Sequence, residues 1–177
     1  QTLVSQWPDI AQKAATAFWP GPLTVVVPKA DVVPDIVTAN GQTVALGCPG
    51  LVSTRGHIEL AKCPLAAPSA NRSEAVSPTT AQHVLEGLGN RIGMILDGGP
   101  CKHGLESTVL DCTVYPPKIL RPGPISAAQL TEAIGVEIHE SEHDSAEQHE
   151  GQKKALRSPG NQHRHYAPQT QLILSGD

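Results

Sequence analysis

The chain consists of short apolar runs interrupted by proline or glycine, which limits it to short strands and helices joined by shaped loops. Its 177 residues include 16 Gly and 16 Pro, spread along the chain rather than repeated. Aromatic residues make up only 3%, so the core must come from Val, Ile, Leu and Ala. Apolar and charged residues amount to 39% and 17%, which is typical of a globular domain rather than of a disordered or collagen-like chain.

Periodicity and end signals predict an α/β fold with a sheet of mixed direction. Asp9–Phe18 has apolar positions at helical spacing, and a second helix is expected over 126–133, with Gly135 after its end. A third helix is expected to begin at Ser77, with Pro78 at its first helical position. Short apolar or β-branched runs predict strands at 23–27, 43–46, 91–96, 107–111 and 118–121.

Charge, hydropathy and cysteine spacing exclude several classes of protein. The net charge of −4 argues against tight, non-specific binding of nucleic acid, which depends on neutralising phosphates. No apolar run reaches about 18 residues, so no membrane span is expected. The first residues lack the basic and apolar regions of a signal peptide. The four cysteines have no C-x-x-C spacing, which indicates reduced, mostly packing residues and a cytoplasmic protein; they are Cys48, Cys63, Cys101 and Cys112.

Small polar residues follow several apolar runs, and ligand sites in α/β sheets often lie at such positions. Ser69 and Asn71 lie in one loop, and Ser77 at a helix N-terminus would favour a phosphate; a plain turn and helix cap explain the same residues. The Gly-rich loop 98–104 leads to Ser107, either as a functional loop or as an ordinary hairpin. Arg121 offers bidentate phosphate binding or a surface salt bridge.

The histidines do not predict a metal site. His139 and His143 are four residues apart, and His163 and His165 flank Arg164. Three or four convergent ligands are needed for a metal, and the first pair lies in a polar, acidic stretch without cysteine partners. Spacing alone indicates neither a zinc site nor a Ser-His-Asp or Cys-His catalytic set.

Five segments occur in the order found in one family. They are 18–24 (Phe-Trp-Pro-Gly-Pro-Leu-Thr), 67–71 (Ala-Pro-Ser-Ala-Asn) with 77–80, 96–100 (Leu-Asp-Gly-Gly-Pro), 106–109 (Glu-Ser-Thr-Val) and 120–123 (Leu-Arg-Pro-Gly). In order and spacing the chain resembles the YrdC/TsaC threonylcarbamoyl-AMP synthases. Segment 158–168 resembles the linker of the longer, two-domain members.

The resemblance implies a YrdC-like twisted mixed sheet flanked by helices, with an open concave cleft. It also implies an enzyme that converts L-threonine, bicarbonate and ATP, with Mg²⁺ carried by ATP, into threonylcarbamoyl-AMP and pyrophosphate. Separate proteins would then transfer the threonylcarbamoyl group to tRNA. No covalent nucleophile is implied. Matching positions are, for ATP, Thr43, Ser69, Asn71, Ser77, Arg121, Arg164, His165 and Tyr166, and, for threonine, Ala67 and Ser107.

The polar, acidic composition of the stretch after 136 and the same resemblance together suggest a domain plan. It comprises a catalytic domain over 1–136 that lacks its N-terminal part, a flexible acidic loop over 137–157, a linker over 158–168 and the start of a truncated C-terminal domain over 169–177. Family members carry a Lys-x-Arg motif before the segment that begins at Phe18, and this chain starts after it.

A second departure from the family pattern is internal. Family members have a threonine-holding Arg where this chain has Gly47. Both departures predict that the polypeptide as given is nearly inactive. They leave open a degenerate, non-catalytic module that binds nucleotide or RNA, the latter weakly. Related domains also occur in hydrogenase-maturation carbamoyltransferases, but the linker favours the threonylcarbamoyl branch.

Overall fold

The structure, a computed structural model, describes residues 3–72 and 75–140. These residues fall into two compact units. The first comprises 3–66 and 105–140, and the second comprises 67–72 and 75–104.

A five-stranded mixed sheet forms the centre of the first unit. Its strands are β1 (Leu23–Pro28), β2 (Thr43–Gly47), β3 (Thr108–Asp111), β4 (Lys118–Arg121) and β5 (His139–Glu140). The order across the sheet is β2-β1-β3-β4-β5. The β1–β2 and β3–β4 pairs are antiparallel, whereas β1–β3 and β4–β5 are parallel. The predicted mixed α/β fold is confirmed, including the adjacent strands β3 and β4.

Aliphatic side chains fill the core of this unit, as the scarcity of aromatic residues requires. Helix α1 (Asp9–Phe18) contributes Ala11 and Ala14, and helix α4 (Ala127–Ile134) contributes Leu130 and Ile134. These side chains cluster with Val25, Val27, Leu110 and Ile119 of the sheet. The small alanines of α1 let this helix pack closely, so the core needs few large side chains.

Helix α4 begins and ends where its sequence signals predict. The Ser126 hydroxyl accepts a hydrogen bond from the Gln129 backbone N–H, and the Gln129 side chain returns to the Ser126 N–H, which completes a capping box. Gly135 follows the helix with φ 78°, the left-handed conformation that suits glycine.

Two local predictions are wrong, and helix α2 (Val52–Ala61) was missed. Helix α3 spans Ala81–Leu88, and its N-cap is Thr80, whose hydroxyl accepts from the His83 N–H. Ser77 therefore does not cap α3. Thr80 also carries a capping hydroxyl, and the helix begins after the second of two adjacent threonines rather than at proline.

The run 91–96 is not a buried strand. Within the described residues it forms no strand, and Ile92, Met94 and Leu96 are exposed. Its apolar composition matched a buried strand, but composition does not supply a neighbouring strand for pairing. Strand β5 includes two residues that the sequence assigned to a flexible loop over 137–157. The rest of that loop, from 141, lies outside the described residues, as do the linker and the segment after it.

Candidate active site

Four polar side chains meet beside the central strands of the first unit. We call Thr24, Glu106, Ser107 and Arg121 the Ser107 cluster. The hydroxyls of Thr24 and Ser107 lie 2.8 Å apart. The Arg121 guanidinium donates from Nε and Nη2 to the Ser107 carbonyl oxygen at 3.2 and 3.0 Å. Nη2 also lies 3.2 Å from Ser107 Oγ, and Nη1 forms an ion pair with Glu106 Oε2 at 2.7 Å.

A β-bulge explains how Arg121 can reach Ser107. Val109 pairs with Arg121, but the next residue, Leu110, pairs with Ile119, so Leu120 is an extra residue in β4. In a regular strand residues two apart share a face, and Arg121 would then lie on the core side with buried Ile119. A bulge breaks this alternation and redirects a side chain. The sequence Leu-Arg-Pro-Gly thus places a cation beside a buried strand without burying it in the core.

Glycine at 123 allows the segment after β4 to approach the Ser107 backbone. A Cβ at Gly123 would lie 2.4 Å from the Thr108 nitrogen and 2.5 Å from the Glu106 carbonyl oxygen. Nearby, the buried Thr108 hydroxyl donates to the Ile125 carbonyl at 2.8 Å and accepts from the Ile125 N–H at 3.0 Å. The Thr108 N–H donates to the Pro22 carbonyl. Three of the family-like segments, 18–24, 106–109 and 120–123, therefore meet here.

Gly47 lies next to this cluster. It is the last residue of β2 and pairs with Thr24, whose hydroxyl contacts Ser107. A Cβ at Gly47 would lie 3.5 Å from the Leu23 carbonyl oxygen and 3.6 Å from Thr24 Oγ1, which is ordinary van der Waals contact. The position therefore has room for a Cβ atom. Arg55 is bound elsewhere, because it donates to the carbonyls of Pro49 and Gly50.

Thr43 is not at the same end of β2 as Gly47. It is the first residue of the strand and pairs with Pro28, whereas Gly47 is the last. Four residues at 3.3 Å each separate the two positions by about 13 Å along the strand. The structure therefore brings Ser107 and Arg121 together and leaves Thr43 at the far end of β2.

The second unit holds the other described candidates. Ala67 and Ser69 are exposed, and Asn71 and Ser77 are half-buried. The Asn71 amide donates to the carbonyls of Arg72 and Ala75, while its Oδ1 is buried and accepts no hydrogen bond from the described residues. A buried carbonyl oxygen of this kind can accept from a ligand donor or bind a hard cation. The Cys101 N–H donates to the Thr79 carbonyl, which joins segment 77–80 to the residue directly after segment 96–100.

Three of the predicted ATP-binding residues cannot be placed in the structure, and two further predictions concern a metal site and a membrane-spanning helix. Arg164, His165 and Tyr166 lie outside the described ranges. Among the residues described, no three His, Cys, Asp or Glu side chains gather as a metal site. No helix within those ranges is both long and apolar enough to cross a bilayer.

The cysteines differ from one another in their surroundings. Cys112 is buried, Cys48 is half-buried, and Cys63 and Cys101 are exposed, so packing explains only the first. Burial, with a smaller contribution from the negative charge of Asp111, raises the pKa of the Cys112 thiol to about 12. The thiolate is the nucleophilic form, so Cys112 stays protonated and weakly nucleophilic at neutral pH.

Thr24 and Glu106 were not among the site residues predicted from sequence, although both lie in the family-like segments. Glu106 is 15 residues from Arg121 and Thr24 is 83 residues from Ser107. The available signal was the position of Glu106 directly before a candidate site serine. A carboxylate at that point could have been paired with the one arginine of segment 120–123.

The fold and the Ser107 cluster define an α/β domain with a polar site beside its central strands, and comparisons with known proteins agree with this. The family model Sua5_yciO_yrdC, described as "Telomere recombination", matches residues 1–123. A second model, "Threonylcarbamoyl-AMP synthase, C-terminal domain", matches residues 125–177. The chain belongs to the Sua5–YciO–YrdC family, as the resemblance implied.

Relatives of known name match almost the whole chain. The threonylcarbamoyl-AMP synthase of Pyrococcus abyssi is 40% identical over 98% of this chain and 50% of its own length. The synthase of Bacillus subtilis is 40% identical over 98% and 49%. The crystal structure of P. abyssi Sua5 complexed with L-threonine has a TM-score of 0.85 and 41% identity, and covers 95% of this chain and 48% of that one. The chain thus spans about half the length of the relatives it matches.

Proposed function

We propose that the chain belongs to a threonylcarbamoyl-AMP synthase that makes the activated intermediate for threonylcarbamoyladenosine in tRNA. L-Threonine, bicarbonate and ATP would give threonylcarbamoyl-AMP, pyrophosphate and water. The observation that carries the proposal is the Ser107 cluster, which holds a serine and an arginine together in a relative of such synthases. The solved P. abyssi relative was crystallised with L-threonine, which supports an amino-acid substrate.

The residues fit a reaction that depends on positioning and charge rather than on covalent catalysis. The amine of threonine would combine with bicarbonate to form a carbamate, and a carbamate oxygen would attack the α-phosphorus of ATP as pyrophosphate leaves. Holding the reactants and stabilising phosphate charge lower the barrier for such a step. Hydroxyls, an amide and an arginine supply these interactions, and the Mg²⁺ carried by ATP would neutralise phosphate charge.

Each candidate residue has a proposed role taken from the family resemblance. Ala67 and Ser107 would contact threonine. The ATP contacts would be Thr43, Ser69, Asn71, Ser77, Arg121, Arg164, His165 and Tyr166. The Oδ1 of Asn71, which is buried and accepts no hydrogen bond from the part of the chain that the structure describes, supports a place for Asn71 near the nucleotide or its Mg²⁺. Transfer of the product to tRNA would need further proteins, and the site of action would be the cytoplasm. The domain plan given for 1–136, 137–157, 158–168 and 169–177 remains part of this proposal.

A pyrophosphate-release assay tests the function. The protein at the length its gene encodes, and the 177-residue chain beside it, are incubated with L-threonine, bicarbonate and Mg-ATP. Pyrophosphate should form only when all three substrates are present, and mass spectrometry should detect threonylcarbamoyl-AMP. Ser107→Ala should lower kcat/KM for threonine about tenfold or more, since a polar contact to a charged substrate is lost. Ser53→Ala, at an exposed serine of α2, serves as the matched control.

Gly47 favours a second candidate, a non-catalytic module of the same fold that binds nucleotide or RNA. An arginine beside Thr24 would add a cation to the Ser107 cluster, and this chain has none at that position. Binding of ATP without pyrophosphate release at either length would support this candidate. Salt-dependent RNA binding would identify the RNA-binding form.

A further inference from the structure

We propose that Glu106 is a positioning residue that orients Arg121 toward Ser107 and so maintains the threonine contact rather than the nucleotide contact. This inference rests on the proposed function. Glu106 lies directly before Ser107 in the chain and pairs with Arg121 at 2.7 Å. The Glu106 and Arg121 side chains are only 24% and 13% exposed, so water screens their attraction less than it screens a surface ion pair.

The geometry of the guanidinium shows what the pair does. Arginine has five N–H groups in a rigid plane. The Nε–Nη2 edge is directed at the Ser107 carbonyl, while Nη1 holds the Glu106 carboxylate. Nη2 also reaches the Ser107 hydroxyl. Fixing Nη1 on Glu106 sets the rotation of the plane, and the plane in turn fixes both the backbone and the hydroxyl of Ser107.

The negative charge of Glu106 has opposite effects on the binding of ATP and of threonine. Its carboxylate neutralises Arg121, which lowers the positive potential available to a triphosphate. The same carboxylate holds Arg121 against Ser107, which preserves the hydroxyl position for threonine. Removing the charge from Glu106 should therefore weaken threonine binding while leaving ATP binding unchanged or stronger.

Calorimetric binding of L-threonine and of Mg-ATP, each measured alone, tests this separation of effects. The protein is used at the length its gene encodes. For Glu106→Gln we expect the Kd for threonine to rise about tenfold, the scale of a hydrogen bond to a charged group. The Kd for ATP should stay within twofold or fall. Glu106→Asp keeps the charge on a shorter side chain and should give a threonine Kd between those of wild type and Glu106→Gln.

Two controls separate positioning from general damage. Glu132→Gln removes a carboxylate from an exposed position on α4 and should change neither Kd. Thermal unfolding of each variant shows whether it folds; if Glu106→Gln does not, Glu106→Asp alone should still weaken threonine binding selectively. Parallel losses of threonine and ATP affinity, or no loss in either, would overturn the role of Glu106. Failure of the wild-type protein to bind threonine and release pyrophosphate would instead overturn the proposed function.

Discussion

Gly47 is a single position at which the chemistry of the proposed site can be altered. Its backbone pairs with Thr24, and a Cβ added there meets only ordinary contacts. Glycine also has more conformational freedom to lose on folding than any other residue, so replacing it inside a strand carries no intrinsic penalty. The absence of a cationic side chain at position 47 is therefore not enforced by a clash at its Cβ.

Gly47→Arg should strengthen binding of L-threonine by about one to two decades in Kd, because a charge-assisted contact to the carboxylate contributes about 1.5–3 kcal/mol. Gly47→Ala adds a side chain without charge and should leave the Kd near its wild-type value. Isothermal titration calorimetry with L-threonine measures both variants. Equal affinities for Gly47→Arg and Gly47→Ala would show that position 47 does not face the bound amino acid.

Cys112 makes the free energy of unfolding depend on pH in the alkaline range. Burial raises the pKa of its thiol to about 12, whereas a thiol in the unfolded chain titrates near 8.5. Below about pH 8.5 both states keep the proton, so this group adds no pH dependence. Above that pH the unfolded state loses the proton and the folded state keeps it, so stability should fall by up to about 1.4 kcal/mol per pH unit.

Urea unfolding of wild type and Cys112→Ala at pH 8, 9 and 10, under reducing conditions, measures this effect. Every other ionisable group is the same in both proteins, so the difference between the two slopes isolates Cys112. The alanine variant should be less stable at pH 8 because a buried atom is removed, but it should lose less stability on going to pH 10. Parallel curves would contradict the raised pKa.

The connection after β4 depends on the absence of a side chain at 123. An added Cβ would lie 2.4 Å from the Thr108 nitrogen, so the backbone that carries Glu106 and Ser107 must move. Gly123→Ala should therefore lower the free energy of unfolding by about 1–3 kcal/mol, the cost of overpacking a tight site. It should also weaken threonine binding.

Gly87→Ala is the matched control for Gly123→Ala. Gly87 lies inside α3, where an added Cβ meets nothing within 4 Å, and alanine favours a helix by up to about 1 kcal/mol. We expect Gly87→Ala to be neutral or stabilising in urea unfolding. If both variants lost the same stability, the close approach at Gly123 would not be the cause.

Elements with strong local signals were predictable from sequence, and elements that depend on partners were not. The capping box of α4 and the β-branched run of β1 are local, and both were located within one or two residues. The predicted start of α3 was wrong because Ser77 and Thr80 both carry a hydroxyl that can cap a helix. The prediction of a strand over 91–96 was wrong because hydropathy can be read from the segment itself, whereas its pairing with a neighbouring strand cannot. In the site, the family resemblance predicted Ser107 and Arg121. The bulge at Leu120 and the ion pair between Glu106 and Arg121 became visible only in the three-dimensional structure.

At the scale of the whole molecule, apolar side chains remain on the surface of the second unit. Leu85, Ile92, Met94 and Leu96 are each at least 38% exposed. Leu85, Ile92 and Met94 line an open cavity of about 520 Å³. Contiguous exposed apolar surface of this kind promotes association, and a net charge of −4 on 177 residues provides little electrostatic repulsion.

The 177-residue chain should therefore self-associate at rising concentration, as sedimentation velocity would show by an increasing weight-average sedimentation coefficient. Met94 is 76% exposed, so Met94→Glu should reduce association without unfolding the chain. Asn90→Asp adds the same charge at an exposed polar residue of the same unit and separates the effect of net charge from that of the apolar surface. If both variants reduced association equally, charge would be the cause. If neither did, the apolar side chains would not mediate contact between copies of the chain.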